Sequence, residues 1–212
     1  IYYTTIDNTI LPQISDIDNF GAELVSHTFE NGLGTITFNG DITSIGERAF
    51  ATSNIKNIYI PDCVTSIKSG AFSNTYLTTI KLPKSLQTIG SDAFAYSTNL
   101  QEITIPYGVT TIDSYAFSHT ALSSIDIPLS VEQIGHKAFL YCEKLEKFTG
   151  NFASKNGRFL IDNNSTLVGF APCGISEITV PDGVVTLGTE VFYMCSNLTK
   201  VELPSTLENI ES

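Results

Sequence analysis

Residues 103–117 read Ile103-Thr104-Ile105-Pro106-Tyr107-Gly108-Val109-Thr110-Thr111-Ile112-Asp113-Ser114-Tyr115-Ala116-Phe117. The opening Ile-x-Ile is a half-buried strand whose middle residue points outward. Pro106 removes a backbone donor and fixes φ, so it ends that strand. Val109-x-x-Ile112 and then Ala116-Phe117 supply further apolar side chains after the turn. The same unit recurs along the chain. Its strand appears as Ile58-Tyr59-Ile60-Pro61, Ile80-Lys81-Leu82-Pro83, Ile125-Asp126-Ile127-Pro128, Ile178-Thr179-Val180-Pro181 and Val201-Glu202-Leu203-Pro204, with weaker copies at Ile36-Thr37-Phe38 and Phe148-Thr149-Gly150. From Ile36, successive copies lie 22, 22, 23, 22, 23, 30 and 23 residues apart, which makes about eight coils with one expanded.

The second half of the unit repeats as faithfully. Val64/Ile67, Leu86/Ile89, Val131/Ile134, Val184/Leu187 and Leu207/Ile210 match Val109/Ile112. Ala49-Phe50, Ala71-Phe72, Ala93-Phe94 and Ala138-Phe139 match Ala116-Phe117, and Val191-Phe192 is the variant. A coil of this length cannot bury its apolar side alone and must stack on its neighbours. Stacking in register predicts a Phe ladder, an Ile/Leu ladder and parallel strands about 4.8 Å apart. The position after the second Ile reads Gly46, Lys68, Gly90, Asp113, Gly135, Gly188 and Glu211; its Gly and Asp suit a turn with φ > 0.

The chain therefore reads as a β-rich solenoid forming one domain over residues 1–212. Repeats occupy residues 34–150 and 177–212. Between them, Arg158–Ile161 and Thr166–Phe170 flank the turn-rich Asp162-Asn163-Asn164-Ser165, and residues 151–176 read as a β-hairpin inserted in the expanded coil. Residues 1–33 do not fit the repeat and read as an N-terminal cap, with Tyr2–Thr5 and Thr9–Leu11 expected to form a hairpin over the first coil. No cap is visible at Ile210-Glu211-Ser212, as expected of a trimmed chain or of an end covered by a partner.

The unit Leu-x-x-Ile-x-Ile-Pro-x-x-Val-x-x-Ile-Gly-x-x-Ala-Phe resembles the BspA-like branch of the leucine-rich repeats, over residues 34–212. The opening segment, with Ile1-Tyr2-Tyr3-Thr4, Phe20-Gly21-Ala22 and Glu30-Asn31-Gly32, is similar to chains from Bacteroides-type bacteria. The resemblance implies a leucine-rich-repeat-like right-handed coil in an exported or lipid-anchored (lipoprotein) cell-surface protein, of a family linked to adhesion. It brings no catalytic residues. Cys63, where Gly is usual, and Val191, where Ala is usual, depart from the pattern.

Composition narrows the partners. A formal net charge of −11, with no Lys/Arg cluster, repels phosphate backbones and excludes nucleic acid as an expected partner. No apolar run approaches the roughly 18 residues of a membrane span. The first residues are not a signal peptide, so the chain is expected to be cytosolic or to have lost a targeting segment.

A search for reactive constellations yields no catalytic or metal site and no cofactor. Cys63, Cys142, Cys173 and Cys195 lack metal-site spacing. Cys142 and Cys195 share the column of Ser53, Thr75, Ser97 and Thr120, the place of a small buried ladder side chain. The expanded coil sets them two steps apart, about 10 Å, beyond disulfide reach. His119 and His136 fall at variable positions of neighbouring coils and read as exposed. Glu102 and Asp126 lie on adjacent coils, but a glycosidic acid/base pair would need a cleft. Asp162–Ser165 lacks the calcium-loop spacing.

What remains is the repeated strand face. Its outward rows are expected to carry Tyr59, Lys81, Thr104 and Asp126 beside Asn57, Thr79, Glu102 and Ser124. Such faces serve solenoids as extended binding surfaces. An ordinary soluble exterior is the competing reading, because Tyr59 is the only aromatic anchor. The expected function is a non-catalytic recognition or adhesion module for an extracellular protein of a host matrix or another cell, with a glycan as a further ligand class. A structural spacer that stacks end-on is the alternative, and a hydrolytic surface protein ranks third.

Overall fold

The computed structural model describes all of residues 1–212 and contains almost no helix, only a 3-10 turn at Ile17–Phe20. The coils stack with like residues in register. Ile45, Ile67, Ile89, Ile112 and Ile134 form one parallel ladder. Leu167, Leu187 and Ile210 form another beyond the expanded coil. On the other side, Ile80 pairs with Ile103, Ile125 with Phe148 and Ile178 with Val201. Inside, Phe50, Phe72, Phe94, Phe117 and Phe139 stack nearly face to face with centroids 5.4–5.5 Å apart. Each such pair adds about 0.5–1.5 kcal/mol beyond area burial.

The second ladder is made by backbone rather than by side chains. Around each Ala-Phe, three N–H groups donate to carbonyls of the next coil: Arg48 to Ser69, Phe50 to Ala71 and Thr52 to Ser73, at 2.8–2.9 Å. The triad repeats from Gly70, Phe72 and Asn74, from Asp92, Phe94 and Tyr96, and from Tyr115, Phe117 and His119. The outer two residues of each triad adopt positive φ, between 53° and 63°. Arg48, Tyr115, Lys137, Tyr96, His119 and Tyr141 are poor candidates for that conformation, which costs about 1–2 kcal/mol per residue. Closing the coil offsets it, together, for Arg48, Tyr96, Tyr115 and His119, with donation to the next coil.

This corrects the expected turn. Gly46, Gly90, Gly135 and Gly188 do not have positive φ. They are glycines because the preceding layer lies too close for a Cβ. At Gly135 a Cβ would sit 2.3 Å from the Ser114 nitrogen, and at Gly188 2.7 Å from the Leu167 oxygen.

The N-terminal region also differs from expectation. Strand β1 (Tyr2–Thr5) does not pair with residues 9–11. Strands β2 (Leu24–Glu30) and β3 (Leu33–Phe38) form a hairpin over Asn31-Gly32, whose φ values of 52° and 83° suit a tight hairpin turn. β1 then lies antiparallel between β3 and the first strand-face rung, Ile55–Tyr59. Ile36 is therefore part of an antiparallel cap, not the first parallel rung. Seven parallel rungs remain on the strand face, against eight on the other side. The buried Tyr3 ring fills the space above Gly34, where a Cβ would fall 2.0 Å from it. Its hydroxyl lies 2.6 Å from His27 Nε2 and accepts from the Leu11 N–H.

The expected hairpin forms, with Phe159 opposite Phe170. Its second strand, Thr166–Phe170, also serves as the parallel rung beside Thr186–Leu187. The core divides here. One apolar cluster runs from Tyr3 to Ala171, and a second gathers Phe159, Leu167, Phe170, Val180, Val184 and Leu187.

Three outcomes follow from this packing. Phe94→Ala removes a ring stacked on both sides and is expected to cost about 3–5 kcal/mol in urea unfolding; a loss below about 1 kcal/mol would contradict the stacked core. Gly135→Ala should destabilise by about 1–3 kcal/mol through the backbone clash, despite its ordinary φ. Burial lowers the His27 pKa from its ordinary value of 6.5. The unfolded chain therefore binds this proton more readily, and the contribution is full above pH 6.5 and lost as pH falls towards the folded value. Thermal melts from pH 7.5 to 5 should fall more steeply for the parent than for His27→Gln.

Candidate functional site

Strand alternation sends every expected strand-face residue outward: Asn57, Tyr59, Thr79, Lys81, Glu102, Thr104, Ser124 and Asp126 are all exposed. Rung pairing brings Thr79 beside Glu102 and Tyr59 beside Lys81. Asp126 pairs with Thr149 and accepts a 2.6 Å hydrogen bond from its hydroxyl. On their other side, Asn57 and Tyr59 meet the cap strand. The Asn57 amide donates to Thr4 Oγ1 at 2.9 Å, and the Tyr59 ring lies 6.2 Å from that of Tyr2. Tyr2 thus doubles the aromatic surface at this end. Strand pairing is interrupted between Glu102–Ile103 and Ser124–Ile127, and again between Lys147–Gly150 and Glu177–Thr179, so the face is a series of short platforms. Farther along, Lys200 lies 2.8 Å from Glu202 and holds its carboxyl below the usual range, with help from Thr179.

The strand face is not the aromatic side of the molecule. The second residue after each ladder Phe forms an outer column: Thr52, Asn74, Tyr96, His119, Tyr141 and Met194. Tyr96, His119 and Tyr141 stack with centroids 4.4 and 4.1 Å apart, and Tyr193 meets Tyr141 edge-on at 5.8 Å. Burial between the two tyrosines lowers the His119 pKa from its ordinary value. It is part of an aromatic row, not the freely exposed histidine expected from the sequence. Aligning the coils on their Phe would have revealed the column, since every member lies two residues beyond it.

The row ends at a cavity of about 180 Å³, lined by Phe139, Cys142, Phe170, Val191, Cys195 and Leu198 among others. The Lys137 ammonium and Glu190 carboxylate span it, 3.0 Å apart. The cysteines follow the ladder reading. Cys142 lies within hydrogen-bonding distance of the Phe117 carbonyl, as Thr120 does, and is fully buried. Burial pushes both the Cys142 and Cys195 thiols up to about 11, which keeps them protonated at neutral pH. All four cysteines are free thiols. No group of three or more His, Cys, Asp or Glu side chains converges as a metal site would require. No helix is long and apolar enough to cross a membrane.

Comparison with known proteins gives a consistent picture. A leucine-rich cell-surface protein from Faecalibacterium prausnitzii is 28% identical, with a TM-score of 0.65 over 81% of this chain and 51% of its own. The pneumococcal vaccine antigen PcpA is 20% identical, with a TM-score of 0.65 over 88% of this chain and 55% of its own. A leucine-rich repeat protein from Bacteroides ovatus is 21% identical, with a TM-score of 0.56 over 89% of this chain and 77% of its own. The chain thus spans about half the length of the first two. Among curated proteins, none matches. The BspA type leucine rich repeat region matches in six copies across residues 22–149 and 167–212, and the chain belongs to that family.

Proposed function

We propose that this chain is a non-catalytic recognition module of a bacterial surface protein, binding a protein of a host matrix or another cell through its strand face. Membership of the repeat family supports a protein-interaction module. The cell-surface relative at 28% identity supports the location. The observation that carries the reading is the set of exposed columns at Asn57–Tyr59, Thr79–Lys81, Glu102–Thr104 and Ser124–Asp126, held one per coil over the continuous Phe ladder. A rigid scaffold lets such rows bind without a large ordering cost. Their mixed charge, Ser/Thr hydroxyls and the Tyr2–Tyr59 pair fit a polar protein surface with a small aromatic anchor.

Binding to an array of extracellular-matrix proteins and host or microbial glycans tests this. A saturable protein hit is expected, weakened at least roughly tenfold when Tyr59, Lys81, Thr104 and Asp126 are together replaced by Ala. Undiminished binding in that variant would remove the site from the strand face. Concentration-dependent mass with no hit would favour the spacer role instead.

A further inference from the structure

The expanded coil leaves the backbone ladder one rung short. In each of the four preceding interfaces, the three N–H groups around the ladder Phe donate to the next coil. The hairpin coil has no such segment. After Phe170 its chain turns away: the Ala171 and Cys173 N–H groups donate to the Arg158 and Leu145 carbonyls, while Arg158 Nη1 caps the Ala171 and Cys173 carbonyls. The N–H groups of Lys137, Phe139 and Tyr141 consequently have no acceptor within the protein. Across the cavity, the equivalent carbonyls of the next full coil belong to Thr189, Val191 and Tyr193. Those of Thr189 and Val191 receive no hydrogen bond, and that of Tyr193 only a 3.9 Å contact from the Cys195 thiol.

Both rows line the same cavity, and its volume of about 180 Å³ exceeds the roughly 150 Å³ of an engineered apolar cavity that holds benzene. The slot therefore has donors on one wall, acceptors on the other, and room between them for one ring-sized apolar side chain. We propose that it binds a polypeptide segment from a partner, in the turn conformation of the regular Ala-Phe rung and with a small residue followed by a large apolar one, as the missing rung. The peptide carbonyls accept from Lys137, Phe139 and Tyr141. Its N–H groups donate to Thr189, Val191 and Tyr193, and its large side chain enters beside Phe139. Like strand addition, it draws its affinity from main-chain hydrogen bonds and its specificity from one side-chain pocket. An apolar small molecule would use the volume but leave both backbone rows unpaired. The site is separate from the strand face and does not depend on it.

The probe is the regular rung itself: a synthetic peptide of the sequence Ser91-Asp92-Ala93-Phe94-Ala95-Tyr96-Ser97-Thr98, titrated into the full chain by calorimetry and by amide shifts. Saturable binding is expected, with the Phe139 and Tyr141 amide resonances moving. Changing the peptide's Phe to Ala should abolish it. Methylating the alternate peptide nitrogens that face Thr189 and Val191 should weaken it roughly tenfold or more, the loss expected when a buried acceptor is left unpaired. No binding at millimolar peptide, equal binding of the methylated peptide, shifts confined to another surface, or equal affinity for N-acetylphenylalaninamide would each overturn the proposal.

Discussion

At its Ala-Phe turn each regular coil presents N–H donors to the coil after it and carbonyls to the coil before it, while on the other ladders N–H groups such as those of Lys68, Gly90 and Gly135 donate back to the preceding coil. That polarity, more than any single apolar contact, organises the molecule. A coil of 22 or 23 residues cannot close its own backbone ledger or bury its own Phe. It folds only against neighbours with the same register. Hence like residues align from Ile45 to Ile134, the Phe rings stack at 5.4–5.5 Å, and awkward residues such as Tyr115 and Lys137 are held at positive φ.

The same polarity dictates what happens where repetition stops. At the N-terminal end the cap answers the first coil's carbonyl row, with the Ser15 N–H donating to the Ala49 carbonyl. β1 answers the first strand-face rung by pairing antiparallel with it. In the middle, the hairpin supplies a rung on one side through Thr166–Phe170 but none on the other. The apolar core divides and the backbone rows stay open at that seam.

Much of this was legible because the repeat is local and periodic. The Ile, Leu and Phe columns, the hairpin around Asp162–Ser165 and the outward strand-face rows all follow from spacing. The insertion of β1 did not, since pairing between Tyr2 and Tyr59 leaves no local pattern; Gly34 is meaningful only once the Tyr3 ring is seen above it. Asn31-Gly32 did carry a hairpin signal, and it marks the true cap hairpin. The turn glycines are ambiguous in the sequence because close approach of the preceding layer and positive φ both select Gly. The strand-face residues were identifiable by alternation, whereas the aromatic row and the seam cavity needed the coils aligned and one rung found missing.

Native-state hydrogen exchange of the unliganded chain tests this organisation most directly. The amides of Phe50, Phe72, Phe94 and Phe117, each donated to the next coil, should exchange only through large-scale unfolding. The Phe139 amide, on a ring that is also buried but without an acceptor, should exchange far faster. Uniform protection along all five would contradict a stack held by coil-to-coil donation and interrupted at the expanded coil.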